Sequence, residues 1–320
     1  MKKIGGRFVF HFYLLPFYFC LHACVVDSLR LFETESFVNP KVVREDLIDV
    51  EIIENSERWR ESYVKWSQWP DAMPSRDKLG HDYPYVINKR APFVPARRAL
   101  PMMNLALVTS AGAFIDGTDS FDMDAPRGDI SFREIPIEIE AEDLRFAARG
   151  YDPAAVMEDI NSQLPLARLF EFAGNGIIGQ LNPVFWSFCG FIPDAERLAR
   201  RTLPEFVERV KRYEAQAALL IPASRLCHQT MALAARALEM AGIPTMMLTV
   251  DRDAVETVRP PRAAYYNGAF GSVAGRPLWP EHQRRVLDEA LRLIEPMDAS
   301  GVHKLTVDLE TAVEIGRGEK

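Results

Sequence analysis

Residues 217–250 read AALLIPASRLCHQTMALAARALEMAGIPTMMLTV, and the fold is decided there. The apolar run 217–222 suits a strand buried on both faces. Across 231–241, Leu233, Ala234, Ala237, Leu238 and Ala241 recur at helical spacing. Gly242 is a helix stop, and Pro244 cannot continue a helix. A second strand follows over 245–250. Strand, helix and strand at this length predict a βαβ unit with parallel strands and a right-handed crossover. The expected class is α/β, a mostly parallel sheet built from βαβ units, with an irregular helical and proline-rich N-terminal arm.

Between the first strand and the helix sit Ser224, Cys227, His228 and Thr230. In open α/β sheets, ligands bind beyond the carboxyl ends of strands, where helices begin. Backbone N–H groups and the helix dipole favour an anion there. A thiol in that place is expected to have a lowered pKa and raised reactivity. Cys227 is therefore the leading candidate, and a protonated His228 would lower its pKa further. The alternative stays open that Cys227 is packed as a small hydrophobe, like most free cysteines.

On the N-terminal side, 105–115 reads LALVTSAGAFI, a strand followed by a small-residue turn. Ser110 and Gly112 in that turn let backbone approach a ligand or a helix closely. No GxGxxG pattern supports a dinucleotide. The acidic cluster Asp119, Asp122, Asp124 and Asp129 lacks the spacing of a calcium loop. Residues 132–139 alternate enough for a half-exposed strand. Residues 164–172 form a short amphipathic helix, and 186–191 (WSFCGF) place Ser187 and Cys189 in an aromatic, glycine-bearing stretch. Cys189 faces the same crevice as Cys227 or is simply packed, the commoner outcome for a thiol among aromatics. Residues 195–215 are helical, with Pro204 a break or kink. On the C-terminal side, 263–266 suits a last strand. A helix over 280–294 has Pro280 in its first turn and His282 facing solvent. The chain after 296 reads as a polar tail.

The domain pattern expected is 1–26 signal-like or spurious, 27–100 a helical and extended arm, 101–296 the α/β domain and 297–320 a tail. Lys2, Lys3 and Arg7 precede an apolar run, as in a signal peptide or a start placed too far upstream. That segment is not expected to pack into the core. In the arm, Trp59, Tyr63, Trp66 and Trp69 fall near one helical stripe, and core packing is its expected use. The net charge of −7, with no Lys/Arg block, argues against a nucleic-acid footprint. Four cysteines, at 20, 24, 189 and 227, give neither a disulfide framework nor a CxxC pair. Cys189 and Cys227 suit a reduced compartment, so a cytoplasmic location is expected, the signal-like start pointing the other way. No nicotinamide, flavin or metal motif calls for a cofactor, and no membrane contact is expected of the folded domain.

Several segments in order resemble one family: ALVTSAG (106–112), SFREIP (131–136), Pro165-Leu166, Ile178-Gly179, SFCGFIP (187–193), Cys227-His228-Gln229-Thr230, AGIPT (241–245) and Gly275-Arg276-Pro277. It is the selenoprotein B family of the glycine/sarcosine/betaine reductases, with the related D-proline reductase subunit. The resemblance runs from about 84 to 295. It implies a site at a strand-to-helix turn built on a UxxC or UxxCxxU motif. SRLCHQT (224–230) looks like that motif, with Ser224 and Thr230 where selenocysteines would stand and Cys227 between them.

The function so implied is a thiol-dependent, reductase-like oxidoreductase acting through Cys227, with Ser224 and Thr230 beside it in the catalytic motif. Its substrate would be small and amino-acid-like or carboxylated, with a disulfide as acceptor. Ser110, Gly112, Ser187, Cys189 and His228 are the candidate substrate contacts. Other reductase subunits or a thioredoxin-like reductant are the implied partners. A serine hydroxyl does not replace a selenol without a strong base, and no Ser-His-Asp arrangement is evident. Two alternatives belong to other classes. One is a non-catalytic binding or partner subunit on the same scaffold. The other is a cofactor-free racemase or lyase using Cys189 and Cys227 on opposite faces of a substrate.

Overall fold

The structure, a computed structural model, describes residues 50–75 and 78–318. The signal-like stretch 1–26 and the start of the arm lie outside the described residues. In chain order, α1 (Ser56–Ser67) leads through an extended arm to β1 (Asn104–Thr109). β2 (Ala113–Ile115), β3 (Phe132–Pro136) and β4 (Leu144–Phe146) follow, then α2 (Ala154–Glu158), α3 (Leu166–Gly174) and β5 (Gln180–Phe188). The second half alternates: α4 (Leu203–Arg212), β6 (Ala217–Ile221), α5 (Arg225–Met240), β7 (Thr245–Thr249), α6 (Arg252–Val258), β8 (Arg262–Tyr265), α7 (Pro280–Arg292), β9 (Gly301–Lys304) and α8 (Val307–Gly316).

Seven strands form one sheet in the order β3-β5-β1-β6-β7-β8-β9, and β2 pairs with β4 apart from it. All neighbours in the large sheet are parallel except β3, which runs antiparallel to β5. The α/β class and the mostly parallel sheet are those expected from the 217–250 stretch. β1, β6 and β7 are buried at every position, because helices cover both faces. Alternation sorts their side chains into two cores. Ala106, Val108, Ala218 and Leu220 pack with α1, α4 and α5 on one face. Leu105, Leu107, Leu219 and Ile221 pack with α3 and α7 on the other.

The strand order turns at β1. β5 pairs along one side of it and β6 along the other, all three pointing the same way. The loops leaving these three strands therefore splay apart above one point, where open sheets form ligand crevices.

Helix α5 is buried from Leu226 to Glu239 without interruption. The sheet lies under it and the arm lies over it. Its polar residues hold the arm down. The Arg236 guanidinium donates to the carbonyls of Glu51, Ile52, Arg90 and Arg259. The Glu239 carboxylate accepts from the backbone N–H of Val94 and of Thr245 and pairs with the buried Arg262. Gln229 accepts from the Val86 N–H and donates to the Tyr83 hydroxyl. Of the aromatic stripe, Trp59, Tyr63 and Trp66 join this core, with Trp59 and Tyr63 stacked at 5.0 Å, while Trp69 is exposed.

The structure corrects two local expectations. Residues beyond 296 are not a loose polar tail. β9 adds a parallel edge strand beside β8, and Leu305 and Val307 are buried in the second core. The error has a physical source: Val302, His303 and Lys304 are exposed, so the strand carries no apolar signal. His282 does not face solvent. It is buried beside Tyr266 and Trp279, its Nδ1 accepts the Arg276 N–H at 3.2 Å, and burial lowers its pKa to about 4. The helix expected over 195–215 is interrupted next to Pro204: a π-turn over Leu198–Thr202 precedes it, and the proline enters in the first turn of α4, where no N–H is required. Among the described residues no helix is long and apolar enough to cross a membrane.

Candidate functional site

Ser224 ends the loop after β6 in extended conformation and caps α5, its Oγ accepting the Cys227 N–H at 3.2 Å. The cap fixes Cys227 in the first helical turn. From there its thiol reaches the Ser110 carbonyl, Sγ to O 3.8 Å. Ser110 follows β1 and knits the three strand ends together. Its Oγ accepts the Ala223 N–H at 3.0 Å, and its carbonyl also accepts the Gly190 N–H at 3.3 Å. Thr230, one turn on from Cys227, donates to the Gly190 carbonyl at 2.6 Å. Gly190 is thus held between Ser110 and Thr230. A β-carbon at 190 would stand 2.4 Å from the Ser110 Cβ and 2.9 Å from the Cys227 Sγ, which only glycine avoids.

Ser110, Ser224, Cys227 and Thr230 are thus brought together. The expected opening onto a crevice is not there. Cys227 is fully buried. The Tyr151 hydroxyl donates to the Ala111 carbonyl at 2.7 Å, and burial, with charge on Cys227 a lesser cause, pushes the tyrosine pKa up. The Gly271 N–H donates to the Ala223 carbonyl at 2.9 Å, and the Tyr151 ring packs against Gly271. Nor is the thiol acidic. Burial pushes its pKa up, against hydrogen bonds from Ser110 and Ser224 that lower it. The helix N-terminus is present as expected, but desolvation outweighs it.

The other candidates stand apart. His228 does not act as a cation toward Cys227. Its Nδ1 lies 2.7 Å from the Ser224 carbonyl and its Nε2 accepts the Val250 N–H at 3.3 Å. These partners assign the neutral ring with its proton on Nδ1. Burial lowers its pKa to about 4. Cys189 is a packed thiol with Phe121 and Ala147, and burial raises its pKa to about 12. Ser187 turns to the sheet face opposite α5, in phase with Phe185 rather than with Trp186 and Phe188. Its buried hydroxyl has no hydrogen-bond partner among the described residues. Gly112 takes φ 71° where its N–H meets the Phe188 carbonyl and its carbonyl meets the Ala147 N–H, both at 2.8 Å. It serves a crossing of chain segments.

The sequence pointed to neither Tyr151 nor Gly190 as part of the site. Gly190 lies inside SFCGFIP (187–193), but its steric role depends on two loops distant in sequence. Tyr151 sits in RGYDP (149–153), where only the neighbouring glycine and proline give any local signal. Among the described residues no group of three or more His, Cys, Asp or Glu is placed to hold a metal ion.

The chain is 30% identical over 209 residues to the D-proline reductase subunit gamma of Acetoanaerobium sticklandii, covering 65% of this chain and 85% of that protein. It is 28% identical over 176 residues to the glycine reductase complex component B subunit gamma of Symbiobacterium thermophilum, covering 52% of this chain and 39% of that protein. No family model matches the chain, and no solved structure matches it. Its 85% coverage of the first relative and the order of segments quoted from the sequence agree: the chain belongs to the family of the D-proline reductase and glycine reductase component B gamma subunits.

Proposed function

We propose that the protein is the thiol-bearing subunit of a reductase of this kind, acting through Cys227 on a small amino-acid-like or carboxylated substrate. One observation carries this reading: Cys227 occupies the first turn of α5 where the ends of β1, β5 and β6 converge, next to Ser110, Ser224 and Thr230. The amide groups of that helix start suit a substrate carboxylate. In the reaction proposed, the Cys227 sulfur displaces the amine nitrogen from the substrate α-carbon: a carbon–sulfur bond forms, the carbon–nitrogen bond breaks, and the nitrogen takes up a proton, leaving as ammonia from an acyclic substrate and staying tethered as a primary amine from a cyclic one. A thiol of a second subunit or of a thioredoxin-like protein then attacks the Cys227 sulfur. The carbon leaves with a proton, and the two thiols are left oxidised as a disulfide. The motif itself holds one thiol, so the second comes from a partner. Because the resting thiol is buried and protonated, the loops that enclose it have to move for substrate to enter. We place this activity in the cytoplasm.

The test is carbon–nitrogen cleavage by the protein with its partner subunits and a dithiol, read as ammonia freed from glycine and as the primary amine of ring-opened D-proline. Cys227→Ser should abolish cleavage, and Cys189→Ala should leave it. A second reading is favoured by the burial and raised pKa of Cys227: a partner subunit that contributes scaffold and no chemistry. Unchanged carbon–nitrogen cleavage by Cys227→Ser in the full complex would replace the first reading with the second.

A further inference from the structure

Away from Cys227, a cleft of about 650 Å³ lies between α1 and the helical run that begins after Asp194. Its charge opposes that of the chain, which is −7 in all. Arg60 comes from α1 and Arg127 from the loop before β3, while Arg197, Arg200 and Arg201 share one helical face at spacings of three and four. Among the described residues only Asp194 and Glu196 line the cleft as carboxylates, leaving an excess of three positive charges from those residues.

The two carboxylates orient the cations and do not consume them. Glu196 holds Arg60 by its Nε at 2.5 Å and by one Nη, and Arg200 at 2.8 Å, and Asp194 holds Arg127 by its Nε at 2.7 Å and by one Nη. Even so, the side chains of Arg60, Arg127 and Arg200 remain 46%, 61% and 62% exposed. Each guanidinium has five N–H donors in a fixed fork, so donors remain after these pairs are made. Arg201 is exposed and makes no ion pair among the described residues. Tyr63, stacked on Trp59, gives the cleft an aromatic wall.

We propose that this cleft binds a small polyanion bearing two neighbouring anionic groups, a diphosphate or a polycarboxylate. Arginine forks match both kinds of oxygen pair. The cleft has the volume of a small-molecule site, which is typically about 300–1,000 Å³. A ligand of two or three negative charges balances the excess. The inference does not depend on the chemistry of Cys227.

Calorimetric titration of the full chain with sodium pyrophosphate, and separately with citrate, tests it. Saturable one-to-one binding that weakens with salt is expected for at least one of them. Preference for pyrophosphate identifies a phosphate ligand and preference for citrate a carboxylate one. Arg201→Glu, and Arg200→Glu with it, should weaken binding about tenfold or more. Arg292→Glu, on the exposed side of α7, should leave it unchanged. Arg201 carries no side-chain bond among the described residues, so the single variant is readable even if the double variant unfolds. Absence of saturable binding to either anion overturns the proposal. So does equal weakening by Arg292→Glu, or binding of an Asp/Glu-rich peptide with none of either small anion.

Discussion

At Cys227 two effects on one thiol oppose each other. The start of α5 favours the thiolate, and removal from water disfavours it more. The reactive species is the thiolate, so a raised pKa leaves little of it at neutral pH and more as pH rises. In the isolated chain, iodoacetamide should alkylate Cys227 about tenfold or more slowly than a denatured thiol at neutral pH, accelerating through the alkaline range. Peptide-resolved mass spectrometry reads this site by site, and rapid neutral labelling would contradict the buried geometry. His228 gives the opposite pH limb. Its folded pKa of about 4 lies below the ordinary 6.5. The stability it contributes is therefore present above pH 6.5 and lost as pH falls towards 4, on the order of a few kcal/mol. His228→Asn retains a donor for the Ser224 carbonyl but cannot titrate. Its denaturant midpoint should fall less steeply across that window than the parent's. The position of Cys227 was legible from 217–250, since strand, turn and helix spacing put it at a helix start. Its ionisation was not, because Ser110 and Gly190 close on the thiol from segments far along the chain.

Helix α5 shows the same limit one level up. Its periodic Leu233, Ala234, Ala237 and Leu238 announced a helix, and Gly242 ended it at φ 89° as a stop should. The sequence does not announce that Gln229, Arg236 and Glu239 are buried. Such residues ordinarily mark a solvent face, and here their polar atoms meet backbone groups of the arm. Removing Arg236 strands four carbonyls at once. Arg236→Met should cost about 3 kcal/mol or more, and limited proteolysis should cut first within 50–98. Glu239→Ala leaves Arg262 as a buried cation without its carboxylate, and should cost about 3–5 kcal/mol in denaturant titration. A cost below about 1 kcal/mol for both would mean that the arm is not anchored through α5.

In the molecule as a whole, the sheet runs from an antiparallel edge at β3 to a parallel edge at β9. Its centre could be read from apolar runs, because strands buried on both faces are apolar at nearly every position. Its margin could not. β9 faces water with three of its four residues, and only pairing with β8 reveals it. A chain ending at Pro296 should therefore uncover the β8 edge and lose the packing of Leu305 and Val307, worth about 3–6 kcal/mol together. A lower melting temperature and increased light scattering are the expected results. An unchanged melt would show that β9 and α8 contribute nothing to the fold.

Gly190 constrains how this site can change over generations. A methyl group there meets the Ser110 side chain on one side and the Cys227 sulfur on the other. No single substitution relieves both contacts, so position 190 cannot drift alone. A lineage that gains alanine there must already have reduced position 110 to glycine and exchanged the thiol for something shorter. Across related sequences, the three positions should change as a set, and a larger residue at 190 should mark the branches that have given up the thiol.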